Sequence, residues 1–143
     1  HPVGGGEAEV CVHRKGATRA FGPGHPSVPA RYRAFGQPVL VPGDMGRRSY
    51  VLAGHKGEET FSSCCHGAGR VMGRNEARRQ LRDRSIEKEL AARNISVRAQ
   101  SRKTLEEEYP EVYKDVSDVV AAVEGAGLAR KVARLEPLLV IKG

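Results

Sequence analysis

Residues Pro38-Val39-Leu40-Val41-Pro42-Gly43-Asp44-Met45-Gly46-Arg47-Arg48-Ser49-Tyr50-Val51-Leu52-Ala53 place two short apolar runs on either side of a glycine-bearing turn. Runs of this length and composition, bounded by Pro and Gly, read as strands, so the spacing predicts strands over 38–41 and 49–53. The glycines between them allow unusual backbone angles and let the loop approach a ligand closely. Upstream, Glu9-Val10-Cys11-Val12-His13 alternates as a strand does, and the span from Gly22 to Gly36, with Pro23, Pro26 and Pro29, reads as a long loop. Downstream the character changes. Asn75 is a candidate cap for a helix through Gln80, and Ser85 for another that carries Ile86 and Leu90 one turn apart and stops near Asn94. Ile95 to Ala99 reads as a strand, and Pro110 interrupts the acidic stretch from Glu106 to Glu111. Val116, Val119, Val120 and Val123 recur at helical spacing until Gly125 and Gly127, which marks a core-facing stripe. Leu138-Leu139-Val140-Ile141 is a continuous apolar run suited to a strand buried on both faces. The expected fold class is α+β, a mixed sheet with flanking helices.

A chain of 143 residues is of single-domain size. Its formal charge of +7 favours an anionic partner, with phosphate the first candidate. A 39% hydrophobic share beside 29% charged residues excludes a disordered chain, and no apolar run approaches the length of a membrane span. Cys11, Cys64 and Cys65 form an odd set in no disulfide pattern, which fits a reducing cytoplasm. Consecutive Cys64, Cys65 and His66 converge poorly on one zinc ion, and no second ligand pair accompanies them. The chain opens on His1 without a leader pattern, as expected of a processed chain or of a piece of something longer.

The most informative local sequence is Cys65-His66-Gly67-Ala68-Gly69-Arg70. It reads as a histidine followed by a turn whose amides can face an anion, closed by an arginine able to fork onto phosphate oxygens. A neutral imidazole can attack a nucleotide α-phosphate to give a phosphoramidate. A hydrogen-bonded histidine in a glycine turn explains the same hexapeptide. The cluster His13-Arg14-Lys15-Gly16-Ala17-Thr18-Arg19 reads equally as an RNA or triphosphate contact and as a solvated basic turn. Arg78, Arg79, Arg82 and Arg84 read as a solvated helix face. The few aromatic residues form no base-stacking pattern.

Read in order, His13 to Phe21, Gly36-Gln37-Pro38-Val39-Leu40, Pro42-Gly43-x-Met45-Gly46-x-x-Ser49-Tyr50, Cys65 to Arg70, Tyr113-Lys114-Asp115-Val116 and the terminal Lys142-Gly143 resemble the RtcB family of RNA-splicing ligases. The resemblance spans the whole chain but only the C-terminal third or so of a family member. It implies a ligase, active in tRNA splicing and RNA repair, that joins a 3′-phosphate or 2′,3′-cyclic phosphate RNA end to a 5′-hydroxyl end with GTP and manganese. By motif position, His66 is the histidine that becomes guanylylated. The guanylate then passes to the RNA 3′-phosphate, and GMP leaves when the 5′-hydroxyl attacks. Pro42, Gly43, Asp44, Met45 and Ser49 would line the nucleotide site. Gly67, Ala68 and Gly69 would hug the phosphate, and Tyr113 and Lys142 would contact the guanosine. Arg70, Lys15 and Arg14 would meet phosphate or RNA.

The resemblance also implies what lies elsewhere. The manganese ligands belong upstream of His1, so this chain supplies no metal ligand and is expected to be inactive alone. Its expected partners are the upstream portion of the ligase, the RNA ends and an archease-type activator, with no membrane. A basic fragment that holds RNA or a guanine nucleotide without chemistry is the competing reading, and a remnant with lost sheet neighbours is a third. The chain departs from the family at Asp44, where serine or threonine is usual, and at Arg47 and Arg48, where small residues are usual. A carboxylate beside a phosphate is repulsive unless paired, and Arg47 or Arg48 is close enough in sequence to pair with it.

Overall fold

The structure, a computed structural model, describes residues 2–3 and 6–143. Its strands divide among several small sheets. β1 (Pro2–Val3) pairs antiparallel with β2 (Gly6–Glu7), and β3 (Ala17–Arg19) pairs antiparallel with β6 (Ser63–Cys65), Ala17 opposite Cys65. β4 (Pro38–Val41), β5 (Ser49–Gly54) and β8 (Ala129–Leu135) form an antiparallel sheet in the order β4-β5-β8. β7 (Ser96–Ala99) and β9 (Leu139–Lys142) are parallel neighbours. The helices are α1 (Ala30–Arg33), α2 (Arg74–Leu81), α3 (Ile86–Ala91), α4 (Arg102–Glu107) and α5 (Val116–Gly125). The fold is α+β.

Two hydrophobic clusters explain this arrangement. In the first, Val39 and Val41 of β4, Tyr50 and Leu52 of β5, and Cys64 of β6 bury against Val116, Val120 and Val123 of α5. The alternation of buried Val39 and Val41 with exposed Leu40 is the period of a strand with one covered face. Asp115 opens α5 by accepting the Ser117 N–H at 2.7 Å, and Tyr50 donates its hydroxyl to Ser117 Oγ at 3.1 Å, tying helix to sheet. The second cluster gathers Ala77 and Leu81 of α2, Ile86 and Leu90 of α3, Leu105 of α4, and Ile95, Tyr109 and Val112 around the buried side chain of Met45. Met45 belongs to the β4–β5 loop, so that loop is anchored in the helical cluster while its strands belong to the sheet cluster.

Several expectations need correction. Glu9 to His13 is irregular and exposed. The strand lies further on, at Ala17–Arg19, where β6 offers a hydrogen-bonding partner. The loop from Gly22 to Gly36 contains α1, which begins directly after Pro29. Asn75 lies inside α2, whose cap is Gly73. Ser85 occupies the cap of α3 without a side-chain bond, and Asn94, at φ +59°, turns the chain after that helix. The run at 138–141 is not buried on both faces: Leu138, Leu139 and Ile141 are exposed, and among the described residues β9 has β7 as its one strand neighbour. Val119 is half-buried beside its three buried companions. Several elements escaped the sequence reading, α4 and β8 among them. α4 is capped by Ser101, whose Oγ accepts the Thr104 N–H at 3.2 Å, and β8 carries basic residues and is exposed beyond Ala129.

Candidate functional site

A cleft of about 430 Å³ opens between the two clusters. One wall is the β4–β5 loop, from which Pro42, Gly43, Asp44 and Met45 line the cavity together with Ser49 at the start of β5. The Gly43 N–H donates to Ser49 Oγ at 3.2 Å and closes this loop. Gly43 and Gly46 do not take left-handed angles; they are needed for closeness instead. A Cβ at Gly43 would stand 2.0 Å from the Arg48 carbonyl oxygen, and one at Gly46 would stand 2.7 Å from Pro110 Cγ.

Asp44 does not aim its carboxylate at a ligand. Its side chain is fully buried, and Oδ1 accepts the N–H groups of Gly46 and Arg47 at 3.0 and 2.9 Å, while Oδ2 meets Arg47 Nε at 2.6 Å. The expected arginine compensation is supplied by Arg47. That guanidinium continues outward: Nη2 donates to the carbonyls of Pro110 and Tyr113, and Nη1 stands 3.6 Å from Asp115. Asp44 and Arg47 therefore pin the first wall to the segment that carries Tyr113. Arg48 turns away and pairs with Glu136 at 3.4 Å. The carboxyl of Asp115 lies below its ordinary range, chiefly because it accepts the Ser117 N–H, with Arg47 adding to the effect.

The opposite wall is the loop after β6, where His66, Gly67 and Ala68 line the cleft. His66 is exposed. A Cβ at Gly67 would stand 3.3 Å from the Pro42 carbonyl oxygen, so the two loops touch at this point. Gly69 is not among the lining residues, but its carbonyl accepts the Lys114 N–H at 2.9 Å, and Arg70 bridges antiparallel to Tyr113. The histidine loop and the Tyr113 segment are thus one hydrogen-bonded unit. The neighbouring thiols differ in character. Cys64 is raised by its hydrogen bond with Cys65 and by burial, while the same bond and the Gly67 N–H lower Cys65 to about 7.

The floor is made by Tyr113, Val140, Lys142 and Glu108. Tyr113 donates its hydroxyl to Glu108 Oε2 at 2.9 Å and receives Arg70 Nη1 at 3.0 Å; burial and the Glu108 bond raise its phenol. Lys142 Nζ reaches Glu108 Oε2 at 3.3 Å. The Nη2 of Arg70 is buried without a hydrogen-bond partner. Glu108 escaped the sequence reading because it sits in an acidic run where nothing distinguishes one glutamate from the next. Its position at the end of α4, directly before Tyr109 and Pro110, was the available signal.

Lys15 and Arg14 do not line this cleft. Gly16, at φ +71°, bends the chain just before β3, whose first residue lies opposite Cys65. Lys15 is exposed there, whereas Arg14 is committed to Ser63 Oγ and the Phe61 carbonyl, each at 2.8 Å. A larger hollow, of about 670 Å³, lies around His25, His55 and Lys56. It gathers none of the motif residues, and His25 there is stacked on Phe21 at 3.6 Å and accepts the Ser27 N–H, a structural use of its ring. The smaller cleft is therefore the candidate site.

The fold and the cleft define an α+β chain that presents an imidazole, two glycine-bearing loops and a lysine–glutamate pair on one concave surface. A family model described as tRNA-splicing ligase RtcB matches residues 1–143, and the chain belongs to that family. It is 55% identical over 145 residues to the tRNA-splicing ligase RtcB of Pyrococcus horikoshii, a match that covers all of this chain and 17% of that protein. It is 54% identical over 143 residues to the RNA-splicing ligase RtcB of Mycobacterium tuberculosis, covering 33% of it, and 54% identical to the tRNA-splicing ligase RtcB of Archaeoglobus fulgidus, covering 30%. The chain thus spans a third or less of the length of these relatives.

Proposed function

We propose that this chain is the C-terminal, nucleotide-accepting portion of a GTP-dependent RNA ligase that acts in tRNA splicing and RNA repair in the cytoplasm. The observation that carries the reading is the convergence of His66, the Pro42–Met45 loop, Ser49, Tyr113 and Lys142 on one cleft, although they are scattered over the chain. In this reading the His66 ring nitrogen attacks the α-phosphate of GTP. A P–N bond forms, the bond to the bridging oxygen breaks and pyrophosphate leaves. The guanylate moves to an RNA 3′-phosphate, and the 5′-hydroxyl of the second RNA end displaces GMP. Gly67, Ala68 and Gly69 leave room for the phosphate, Tyr113 and Lys142 hold the guanosine, Arg70 and the exposed Lys15 meet the phosphate or RNA, and Arg14, bonded to Ser63 and Phe61, braces the segment before the histidine loop.

Among the described residues no three or more His, Cys, Asp or Glu side chains are grouped to hold a metal ion. We assign the manganese ligands to the upstream portion of the ligase and route no step of this chain through that ion. The exposed Leu40, Leu139 and Ile141 support a covering partner of that kind. An archease-type activator acts on the assembled enzyme. No helix among the described residues is long and apolar enough to cross a membrane.

The test is the intact mass of the native polypeptide that carries this sequence, before and after GTP and manganese. Gain of one GMP, abolished by His66→Asn, is expected. A polypeptide that binds GMP but never gains it would instead be a guanine-nucleotide-binding fragment without ligase chemistry.

A further inference from the structure

Two thiols stand directly before His66, and their surroundings differ. Cys64 is buried in the sheet cluster, whereas Cys65, the last residue of β6, is half-buried. The Cys64 thiol lies 3.4 Å from the Cys65 carbonyl oxygen and hydrogen-bonds the Cys65 sulfur, which also takes the Gly67 N–H. Two donors on one sulfur favour its anion, and they hold Cys65 at about 7, down from 9.0. Cys64, the donor of the pair and the more deeply buried, moves the opposite way and stays a thiol.

The Cys65 sulfur is also tied to the cleft. Gly67, whose N–H it takes, lines the cleft, and a Cβ there would stand 3.3 Å from the Pro42 carbonyl oxygen. The backbone of Cys65 is fixed in turn by pairing with Ala17. The turn between these points has little room to give. An oxygen atom added to the sulfur either takes over the Gly67 N–H or presses Gly67 toward Pro42, and His66 lies between the two residues that must shift.

We propose that Cys65 is a modification site: a thiolate that hydrogen peroxide oxidises to a sulfenic acid, which disables His66. The sulfur attacks one peroxide oxygen, an S–O bond forms, the O–O bond breaks, and the departing hydroxide takes a proton to become water. Sulfur loses two electrons and the peroxide gains them. Cys64 is the positioning residue, since its hydrogen bond holds the thiolate. The effect on His66 rests on the nucleotide reading given above; the reactivity of Cys65 does not.

The experiment uses the native polypeptide that carries this sequence. Trypsin cuts after Lys56 and Arg70, so one peptide, 57–70, holds both thiols and His66. Alkylation by iodoacetamide, followed on that peptide, should mark Cys65 with a half-maximal rate near pH 7 and spare Cys64. In Cys64→Ala the half-maximal pH should move toward 9.0, while Cys64→Ser, which keeps a donor, should leave it near 7. A merely structural Cys64 would not move that profile. A limited dose of peroxide, then GTP and manganese, then dimedone should yield peptides with a trapped sulfenic acid at Cys65 or GMP at His66 but never both, and dithiothreitol before GTP should restore the GMP. A Cys65 profile centred near 9.0, or peptides carrying both groups, overturns the proposal. A Cys65 that reacts as expected on a polypeptide that never gains GMP overturns the nucleotide reading instead, and with it the effect on His66.

Discussion

Asp44 shows how a single charge changes meaning with its surroundings. In the sequence it stands where a phosphate would repel it; in the fold it is buried, turned inward and held by two backbone N–H groups and Arg47. Asp44→Ala leaves those donors and the guanidinium without their acceptor, and should cost about 2 kcal/mol of stability, read from the urea midpoint. Glu89 carries a pH signature. The Arg84 guanidinium, and after it the Tyr109 hydroxyl, pull its carboxyl from 4.5 down to about 2, and Arg84 is raised in return. Because the folded value lies below the unfolded one, the stabilisation is complete above about pH 4.5 and is lost as pH falls toward 2. Unfolding midpoints measured across that window should fall more steeply for the unaltered chain than for Glu89→Gln. Arg84 had been read with Arg78, Arg79 and Arg82 as part of a solvated face. Instead it bridges Glu89 at 2.6 Å and Glu111 at 2.8 Å, partners distant or inconspicuous in the sequence.

Among the elements, the β4–β5 loop positions the cleft. Its strands were legible because alternation and β-branched residues over 38–41 and 49–53 admit few other readings. Its glycines were legible as special, but the reason was not. Left-handed angles are local, whereas the 2.0 Å approach to the Arg48 carbonyl arises from how the loop folds back on itself. Gly43→Ala should therefore destabilise the chain by about 3 kcal/mol, as forced overpacking does, and lower its thermal midpoint. Leu90 of α3 is fully buried in the helical cluster that receives Met45, and Leu90→Ala should likewise cost about 3 kcal/mol in the same assay. α4 and β8 were hidden because one looks like an acidic linker and the other like a basic one. Each owes its existence to a neighbour: α4 packs against α2, and β8 bonds to β5.

Across the whole molecule, apolar side chains remain uncovered on two sheets. Leu40 and Leu135 stand on the outer side of the β4-β5-β8 sheet, and Leu139 and Ile141 on β9, each about half exposed or more. Such surfaces promote association when nothing covers them. The chain alone should self-associate in light scattering, and Ile141→Lys should reduce this while leaving the unfolding midpoint within about 0.5 kcal/mol of the original. The expectation of a run buried on both faces at 138–141 was a sound inference from composition. Burial, however, is a property of neighbours, and among the described residues β9 has one strand neighbour.

Part of the local grammar of this protein was readable from its residues: the strands at 38–41, 49–53 and 95–99, where α5 ends, and that His66 sits in a glycine loop beside cations. These follow from periodicity, capping and backbone freedom, which act over a few positions. Placing His66 and Lys142 on one cleft, turning Asp44 inward onto Arg47, and bringing Glu108 to the cleft floor beside Lys142 required the folded chain. Those are contacts between segments tens of residues apart or choices among rotamers, and they are settled by packing the two hydrophobic clusters against their shared loop.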